Sequence, residues 1–229
     1  MQMKNMAYEM FSIYKDKAPA IGTVQKAAGY EACKRWIDVS VALCALFLLS
    51  PFFALIALCI KLEDPAGKVF YVHNRIGYRG KKLGLYKFRS MVYNAEDMIQ
   101  SFTPEQRKEF HENFKLENDP RITRVGKFLR ATSLDELPQL LNILKGELSL
   151  VGPRPVVKAE LEKYGRHRDK LVSVLPGLTG YWQANGRSAT TYGERMEMEL
   201  YYVDNRSFAL DMKILLKTAG AVLSREGAY

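Results

Sequence analysis

Residues 39–60 read VSVALCALFLLSPFFALIALCI, the longest uncharged run in the chain. As one helix this run would extend about 33 Å, compared with about 30 Å for the hydrocarbon core of a bilayer. Lys34 and Arg35 precede the run and Lys61 follows it. Length and composition therefore predict a membrane segment.

Ser50-Pro51 lies in the middle of this run. Pro51 removes one backbone hydrogen bond and disfavours helical geometry at Ser50, whose hydroxyl can bind the carbonyl that is freed. The residues alone leave three arrangements open: a re-entrant helix with both ends on one side, a kinked spanning helix, and a buried core helix. Both flanks are positively charged, so the positive-inside rule gives no orientation.

The overall composition indicates which classes of protein are compatible with this chain. The chain has 229 residues, and 48% of them are apolar, which excludes a disordered protein. A net charge of +9 and a pI near 9.4 indicate an anionic partner: nucleic acid, an acidic membrane surface or a phosphorylated substrate. Three cysteines without metal-ligand spacing predict neither disulfides nor a zinc site. Residues 1–33 have no signal-peptide pattern and are expected to form an N-terminal extension.

A second stretch, residues 132–155, reads TSLDELPQLLNILKGELSLVGPRP. Its leucines at i, i+3, i+4 and i+7 predict a buried helix face, with Asp135 and Glu136 at the N-terminus. Ser133 and Glu136 match a capping box, so the acid pair could serve the helix alone. Pro138 fits better if Asp135 is the N-cap, because a proline in the first turn loses no bond. From these residues alone, the acid pair could be either a helix cap or part of an active site.

Three cations near these stretches are candidates for binding phosphate. Residues 69–75 and 82–89 predict a β-hairpin, whose second strand ends with Lys87 and Arg89 alternating with aromatic residues. Arg154 lies between two prolines, which would hold its guanidinium on a stiff backbone suited to bidentate contact. The alternative for each is an ordinary solvated cation.

Three further segments have sequence patterns that predict a local structure. Residues 176–187 predict a glycine-punctuated binding loop, and residues 201–223 predict a helix that packs on the core or lies on the membrane surface. Residues 121–130 predict a helix with one cationic face. This face could be solvated, lie on lipid headgroups or neutralise a pyrophosphate. Its members are Arg121, Arg124, Lys127 and Arg130.

Taken in order, six motifs resemble the bacterial sugar transferase family, the monotopic polyprenyl-phosphate phosphoglycosyl transferases. Each motif alone is weak evidence, whereas six in this order are specific and cover the chain from residue 34 onward. They are Lys-Arg-x-x-Asp from residue 34, Lys-Phe-Arg-Ser-Met from 87, Asp-Pro-Arg-Ile-Thr-Arg-Val-Gly from 119, Ser-Leu-Asp-Glu-Leu-Pro-Gln-Leu from 133, Ser-Leu-Val-Gly-Pro-Arg-Pro from 149, and Gly-Leu-Thr-Gly from 177 followed by Asn-Gly-Arg from 185.

The resemblance implies a monotopic membrane protein with an α-rich mixed α/β fold. Residues 34–62 would be a re-entrant membrane helix broken at Ser50 and Pro51. Residues 63–229 would form the catalytic domain, with a small β-hairpin and amphipathic interfacial helices around an active site at the cytoplasmic face of the bacterial inner membrane. The chain does not show the multi-spanning N-terminal module of larger members, so a compact form is expected.

For activity, the resemblance implies transfer of a sugar 1-phosphate from a UDP-sugar to polyprenyl (undecaprenyl) phosphate, with release of UMP. The sugar would be a hexose such as galactose or glucose, and the product would begin exopolysaccharide, capsule or O-antigen assembly. Asp135 would be the nucleophile that forms an aspartyl phosphosugar, Glu136 its partner, and both would hold Mg²⁺. The residues expected to contact phosphate are Lys87, Arg89, Arg154 and Arg187.

Expected partners are the UDP-sugar, polyprenyl phosphate and membrane lipids, with a second copy of the chain and downstream glycosyltransferases as further candidates. Nucleic acid is not expected, because no recognised binding motif is present. A non-catalytic membrane scaffold that recruits glycosyltransferases is the alternative function. Two positions depart from the family pattern: His73, where glutamine is usual, and Glu199, where many members have aspartate. They bear on substrate details rather than on the reaction.

Overall fold

A computed structural model describes residues 28–113, 116, 118–186 and 190–224, so most of the predicted extension 1–33 lies outside the described residues. The fold is rich in helices and contains a small β-hairpin, as predicted, and it has a second two-stranded sheet that was not predicted. The helices are α1 (Ala28–Glu63), α2 (Pro104–Asn113), α3 (Arg124–Ala131), α4 (Leu140–Leu144), α5 (Lys158–Lys163), α6 (Arg168–Leu171), α7 (Tyr181–Asn185), α8 (Tyr192–Asn205) and α9 (Phe208–Ser224). The strands are β1 (Phe70–Ile76), β2 (Lys82–Phe88), β3 (Ser149–Val151) and β4 (Gly177–Thr179), and 3₁₀ helices cover Tyr78–Gly80, Asp97–Ser101, Leu134–Gln139 and Gly165–His167.

Helix α1 contains the predicted membrane segment. In the described part of the chain it is the one helix long and apolar enough to cross a membrane, and only 11% of its apolar window is buried in the protein. A core helix would be mostly buried, so that alternative is disfavoured. The helix continues through Pro51, where a break was predicted. The Ser50 Oγ donates a hydrogen bond at 2.8 Å to the Phe47 carbonyl, which is the one that Pro51 leaves without an N–H partner.

The first turns of α1 are fixed to the rest of the fold by the Lys-Arg-x-x-Asp motif. The Lys34 Nζ lies 2.7 Å from Asp211 Oδ2 on α9. Arg35 donates two hydrogen bonds to the last two carbonyls of α4. Asp38 is buried and its Oδ1 accepts a hydrogen bond from the Leu150 N–H of β3 at 3.0 Å. The motif therefore joins the membrane segment to three separate elements.

The last turn of α1 is fixed as well. The Glu63 carboxylate accepts hydrogen bonds from the backbone N–H groups of Arg124 and Val125 at 2.7 and 2.9 Å, and so caps the N-terminus of α3. One residue later, Asp64 forms a salt bridge with Arg89 at the end of β2, at 2.9 Å. Both ends of α1 thus contact the same folded unit.

The predicted hairpin is confirmed, because β1 and β2 pair antiparallel along their whole length. Residues that alternate along a strand point to opposite faces. One face packs on the second half of α1, where the rings of Phe88 and Phe53 lie 5.1 Å apart. The other face carries Lys87, His73 and Arg75, all three partly buried.

The 132–155 stretch differs from its prediction. Leu134–Gln139 forms a 3₁₀ helix that leads into α4, so the α-helix with Asp135 as its N-cap is wrong. The capping box is not formed either, because Ser133 has a left-handed backbone (φ +57°) and its side chain makes no cap bond. Pro138 lacks the N–H group that an α-helix entered at Leu134 would need at this position. The acid pair therefore lies in a short 3₁₀ turn.

The inner face of α4 is also less apolar than predicted. Leu140 is buried, but Leu141 of the leucine stripe is exposed. Asn142 is fully buried instead, and its amide binds two backbone groups of β2: the side-chain nitrogen donates to the Gly84 carbonyl at 2.8 Å, and the oxygen accepts from the Tyr86 N–H at 3.0 Å. These bonds hold α4 in a fixed position on the hairpin.

The main hydrophobic core lies where α1, β2, α4, β3, α8 and α9 meet. Its position explains the placement of the acid pair, since the 3₁₀ helix is held between β2 and α4 at one edge of this core. The buried members are Ala42, Leu83, Leu85, Leu140, Ile143, Leu148, Leu150, Val151, Tyr202 and Ile214.

Candidate active site

The acid pair and Lys87 form one cluster. The side chain of Asp135 is 10% exposed, and that of Glu136 is 28% exposed. The Lys87 Nζ lies 2.7 Å from Glu136 Oε1 and 3.6 Å from Asp135 Oδ2. One ammonium group therefore bridges two adjacent carboxylates, and the structure brings these three predicted site residues together. We call this group the bridged acid pair.

The two carboxyl groups have different environments. Burial raises the pKa of Asp135, and Lys87 offsets part of that effect. Burial would also raise the pKa of Glu136, but Lys87 and Arg154 outweigh it and hold that pKa below its usual value. Neighbouring carboxyl groups whose pKa values are displaced in opposite directions are suited to different chemical roles.

Two arginines supply further positive charge. Arg154 lowers the pKa of Glu136, while its predicted phosphate contact stays a prediction. Arg130 on α3 acts on the other carboxyl group, where it lowers the pKa of Asp135. The Arg130 Nε donates a hydrogen bond to Ser90 Oγ at 2.9 Å, so its guanidinium has a fixed position. A substrate phosphate near the pair would therefore meet the positive charge of Lys87, Arg130 and Arg154.

Arg89 and Arg187 are not part of this cluster as described. The Arg89 Nη1 lies 2.9 Å from Asp64 Oδ2, and its Nη2 donates to the Asp64 carbonyl at 2.6 Å. Its guanidinium thus fixes the turn after α1, and a phosphate contact for Arg89 stays a prediction. Arg187 lies outside the described residues, and so does its predicted contact.

The cationic face predicted for residues 121–130 is wrong as a single helix face. Helix α3 begins only at Arg124, with Thr123 as N-cap. Arg121 precedes the helix and is buried, because its guanidinium binds both carboxylate oxygens of Asp119 at 2.8 and 2.6 Å. An acidic residue two positions earlier therefore removes Arg121 from the stripe.

A second charged group lies along the same face of the hairpin. The two Glu160 carboxylate oxygens lie 3.1 Å from Arg75 Nη1 and 3.2 Å from Arg195 Nη1. The guanidinium carbons of Arg195 and Arg154 lie 4.6 and 5.8 Å from the Trp182 ring centroid. Trp182 is on α7, within the region predicted to be a loop, which contains β4 and α7 instead. We call this group the arginine cluster: Arg75, Arg154, Arg195, Glu160 and Glu199.

Glu199 connects this cluster to the backbone of the Pro-Arg-Pro segment. Its side chain is fully buried, and its Oε2 accepts a hydrogen bond from the Arg154 backbone N–H at 3.0 Å. Burial raises the pKa of Glu199 to about 7, although Arg195 lowers it in part. Glu199 is therefore a carboxyl group that is partly protonated near neutral pH.

His73 lies between Lys87 and Arg75 along the hairpin face. Burial and the neighbouring cations Arg75, Lys87 and Arg154 lower its pKa to about 4. The imidazole is therefore neutral at pH 7, and it adds no further positive charge between the bridged acid pair and the arginine cluster.

Comparison with known proteins agrees with this arrangement. The sequence profile described as bacterial sugar transferase matches residues 29–225. The chain belongs to the bacterial sugar transferase family. That match includes both ends of α1, the bridged acid pair and the arginine cluster.

Individual relatives in this family carry informative names. A UDP-galactose-lipid carrier transferase from Erwinia amylovora is 47% identical over 199 residues, which is 86% of this chain and 41% of that protein. An undecaprenyl-phosphate galactose phosphotransferase from Salmonella typhimurium is 46% identical, with the same coverage. The exopolysaccharide production protein ExoY from Rhizobium meliloti is 44% identical over 91% of this chain and 92% of its own length. The chain thus spans about two fifths of the length of the first two relatives and nearly all of the third.

The bridged acid pair of this family member fits a Mg²⁺ ion held mainly by phosphate. The described residues contain no group of three or more histidine, cysteine, aspartate or glutamate side chains that could hold a metal. Mg²⁺ at phosphate sites uses only one or two protein carboxylates, since phosphate oxygens and water complete its octahedron. Asp135 and Glu136 are two adjacent carboxylates that would supply such a pair, and Glu136 is the more exposed of the two.

Sequence reasoning missed most of the arginine cluster. Arg195, Glu199 and Tyr202 recur at i, i+4 and i+7 on α8, among the buried residues Met198 and Val203. The sequence signal for this part of the cluster is the spacing, which places charged residues on the apolar face of a helix. The same pattern did not reveal Glu160, which reaches the cluster from a different helix.

Proposed function

We propose that this chain transfers a sugar 1-phosphate from a UDP-sugar to polyprenyl phosphate and releases UMP, at the cytoplasmic face of the bacterial inner membrane. The observation that carries the proposal is the bridged acid pair, two adjacent carboxyl groups with opposite pKa shifts on either side of one lysine. The names of the relatives favour galactose as the sugar and exopolysaccharide assembly as the pathway type.

In the first step, an Asp135 carboxylate oxygen attacks the phosphorus next to the sugar. The bond between that phosphorus and the bridging oxygen breaks, and UMP leaves with the electron pair. An aspartyl phosphosugar forms on the enzyme, so one difficult displacement becomes two easier ones. Lys87 and Arg154 stabilise the negative charge of the diphosphate, and Lys87 also offsets part of the rise in the pKa of Asp135 that burial causes.

In the second step, an oxygen of polyprenyl phosphate attacks the same phosphorus. The bond to Asp135 breaks, the carboxylate is regenerated, and a polyprenyl diphosphosugar is released. Asp135 and Glu136 would hold Mg²⁺, which when bound neutralises phosphate charge and polarises the reacting phosphoryl group. The low pKa of Glu136 keeps it anionic and able to bind a cation throughout.

The membrane segment is proposed to be re-entrant, with both ends on the cytoplasmic side. Support comes from its two fixed ends: Lys34 and Asp38 bind the catalytic domain at one end, and Glu63 binds it at the other. Strongly exposed apolar side chains lie between them, with Phe47 at 80% and Leu48 at 73% exposed. A helix that spanned the bilayer would place one of these contacts on the far side.

This topology brings the site to its substrates. The reacting phosphate of a polyprenyl phosphate lies at the bilayer surface, and an anchor that keeps the bridged acid pair at that surface orients the two reactants. Membrane lipids are therefore proposed partners. Homodimer formation and recruitment of downstream glycosyltransferases stay predictions.

The activity is tested with purified protein in nanodiscs that contain polyprenyl phosphate, with Mg²⁺ and a panel of UDP-sugars, by measuring UMP release. We expect release with a UDP-hexose and almost none from Asp135→Asn. The matched control is Asp169→Asn, since Asp169 is highly exposed. Full function of Asp135→Asn would favour the scaffold alternative, and no release with any sugar would contradict the enzyme.

Isotope exchange tests the covalent intermediate separately. If Asp135 forms an aspartyl phosphosugar, labelled UMP should exchange into UDP-sugar without any polyprenyl phosphate, because the first step is reversible by itself. A direct displacement between the two substrates allows no such exchange. Absence of exchange in a preparation that turns over normally would remove the intermediate but keep the transferase.

Cysteine labelling tests the topology. Two single-cysteine proteins, one keeping Cys33 and one carrying Ala66→Cys, place a thiol beyond each end of the apolar run, at positions that are exposed in the structure. In intact spheroplasts a membrane-impermeant maleimide should label neither, and after lysis it should label both. Labelling of one cysteine in intact cells would show a spanning helix.

A further inference from the structure

We infer that Glu199 is a positioning residue for Arg154: its buried carboxyl group fixes the backbone segment that carries the Arg154 guanidinium. The inference rests on the proposed function only for its kinetic part. The hydrogen bond from the Arg154 N–H to Glu199 Oε2 is 3.0 Å long, and the acceptor side chain has no solvent exposure.

The backbone before Arg154 is held at each successive residue. The Leu150 N–H binds Asp38, the Val151 carbonyl accepts from the Tyr202 hydroxyl at 3.1 Å, and the Gly152 N–H binds the Thr179 carbonyl of β4 at 2.9 Å. The Pro153 carbonyl accepts from the Gly177 N–H, also at 2.9 Å. The bond to Glu199 continues this series at residue 154.

Arg154 needs such a partner because of its neighbours. Pro153 and Pro155 carry no N–H group, so the Arg154 amide is the single backbone donor in the Pro-Arg-Pro segment. A buried donor without an acceptor is costly, whereas a charged acceptor makes a strong bond. Glu199 therefore determines whether this rigid segment has one position or several.

The same helix places a second hydrogen bond on the same segment. Glu199 and Tyr202 are three residues apart on α8, and they bind the backbone of residues 154 and 151 respectively. One face of α8 thus aligns the segment.

The direct test is hydrogen exchange of the Arg154 amide, measured by mass spectrometry on peptides covering residues 150–156. Glu199→Leu keeps the approximate volume but removes the acceptor, and Glu199→Gln keeps an acceptor oxygen. In the leucine variant we expect one more amide of this peptide to exchange rapidly than in the wild type. In the glutamine variant we expect the same exchange as in the wild type. The matched control is Glu197→Leu, because Glu197 is exposed on the same helix. Unchanged exchange in Glu199→Leu would overturn the inference, whether or not the chain is a transferase.

The kinetic test is a double-mutant cycle with Arg154→Ala. Interacting residues are non-additive, so Glu199→Leu should lower kcat/KM by roughly 10-fold in the parent and by less than about 2-fold when Arg154 is already alanine. Glu199→Gln should restore most of the loss. Equal losses in both backgrounds, or a glutamine variant as impaired as the leucine variant, would show that Glu199 instead balances the charge of Arg195. A parent protein that releases no UMP would contradict the proposed function, and amide exchange would then decide the inference alone.

Discussion

The bridged acid pair and the arginine cluster lie along one face of the same hairpin, but their charge balance is opposite. At the acid pair one lysine lies between two carboxylates, whereas in the arginine cluster three arginines surround two glutamates. The direct contacts of the first group leave one negative charge in excess, which Arg130 and Arg154 partly offset from nearby. The second group has an excess of positive charge and suits an anion. A metal diphosphate combines both charges, and Arg154 lies at the junction of the two groups.

The largest effect that separates the two groups is expected from Lys87→Met. The substitution keeps the side-chain length but removes the charge that lowers the pKa of both carboxyl groups. We expect kcat to fall by roughly 10³-fold, as for other groups that stabilise charge in a transition state. The acidic limb of the pH–rate profile should move to higher pH, because Glu136 will then ionise only at higher pH.

A pH–rate profile of the variant, measured by UMP release at saturating substrate, checks this prediction. Lys87→Arg is the control, since it restores the charge. An effect of Lys87→Met on KM alone, with an unchanged pH profile, would mean that Lys87 binds phosphate in the way proposed for the arginine cluster, and the distinction between the two groups would fail.

The next effect concerns stability and is specific to the arginine cluster. The pKa of Glu199 in the folded protein is about 7, above its ordinary value of 4.5, so the folded state binds more protons than the unfolded state between these pH values. This group's contribution to stability is therefore largest below about pH 4.5 and is lost as the pH rises towards 7. Glu199→Gln removes that dependence.

Thermal unfolding in detergent at several pH values measures this pH dependence of stability. We expect the stability of Glu199→Gln relative to wild type to increase by at most about 3 kcal/mol between acidic and neutral pH. The same comparison for Glu197→Gln should show no such trend. A constant difference between Glu199→Gln and wild type would mean that the Glu199 carboxyl group titrates normally.

The smallest effect is expected from Arg154→Lys. Lysine keeps the positive charge but loses the planar fork that binds a phosphate with two hydrogen bonds. We expect KM for the UDP-sugar to rise by roughly 10-fold with little change in kcat, as for loss of binding that is equal in the ground and transition states. Steady-state kinetics with varied UDP-sugar provide the measurement, and a loss confined to kcat would place Arg154 with the acid pair instead.

The sequence was sufficient where the structure depends on local patterns. The hairpin followed from its aromatic and β-branched residues around a glycine-containing turn, and the Ser50 bond to a freed carbonyl followed from Pro51. The salt bridges between Lys87 and the acid pair were not predicted, because those residues are 48 positions or more apart in sequence and no local pattern joins them.

The sequence failed where a distant partner decided the outcome. The salt bridge of Arg89 with Asp64, in the turn after α1, was not predicted, and the phosphate contact of Arg89 stays a prediction. The acid pair looked like the start of an α-helix, but Pro138 and the buried Asn142 favour a 3₁₀ turn docked on β2. Each error concerns a polar side chain whose partner could not be identified from spacing along the chain.

The two fixed ends of α1 have a consequence for protein engineering. Ala42, Ile56 and Ile60 belong to the hydrophobic clusters of the catalytic domain, and Asp38 and Glu63 bind backbone groups within it. A soluble version made by deleting residues 28–63 would therefore expose part of its own core and remove the Asp38 contact from β3, the strand that precedes Arg154. Solubilisation is better attempted by polar substitution at the exposed positions around Phe47, with both ends of the helix retained.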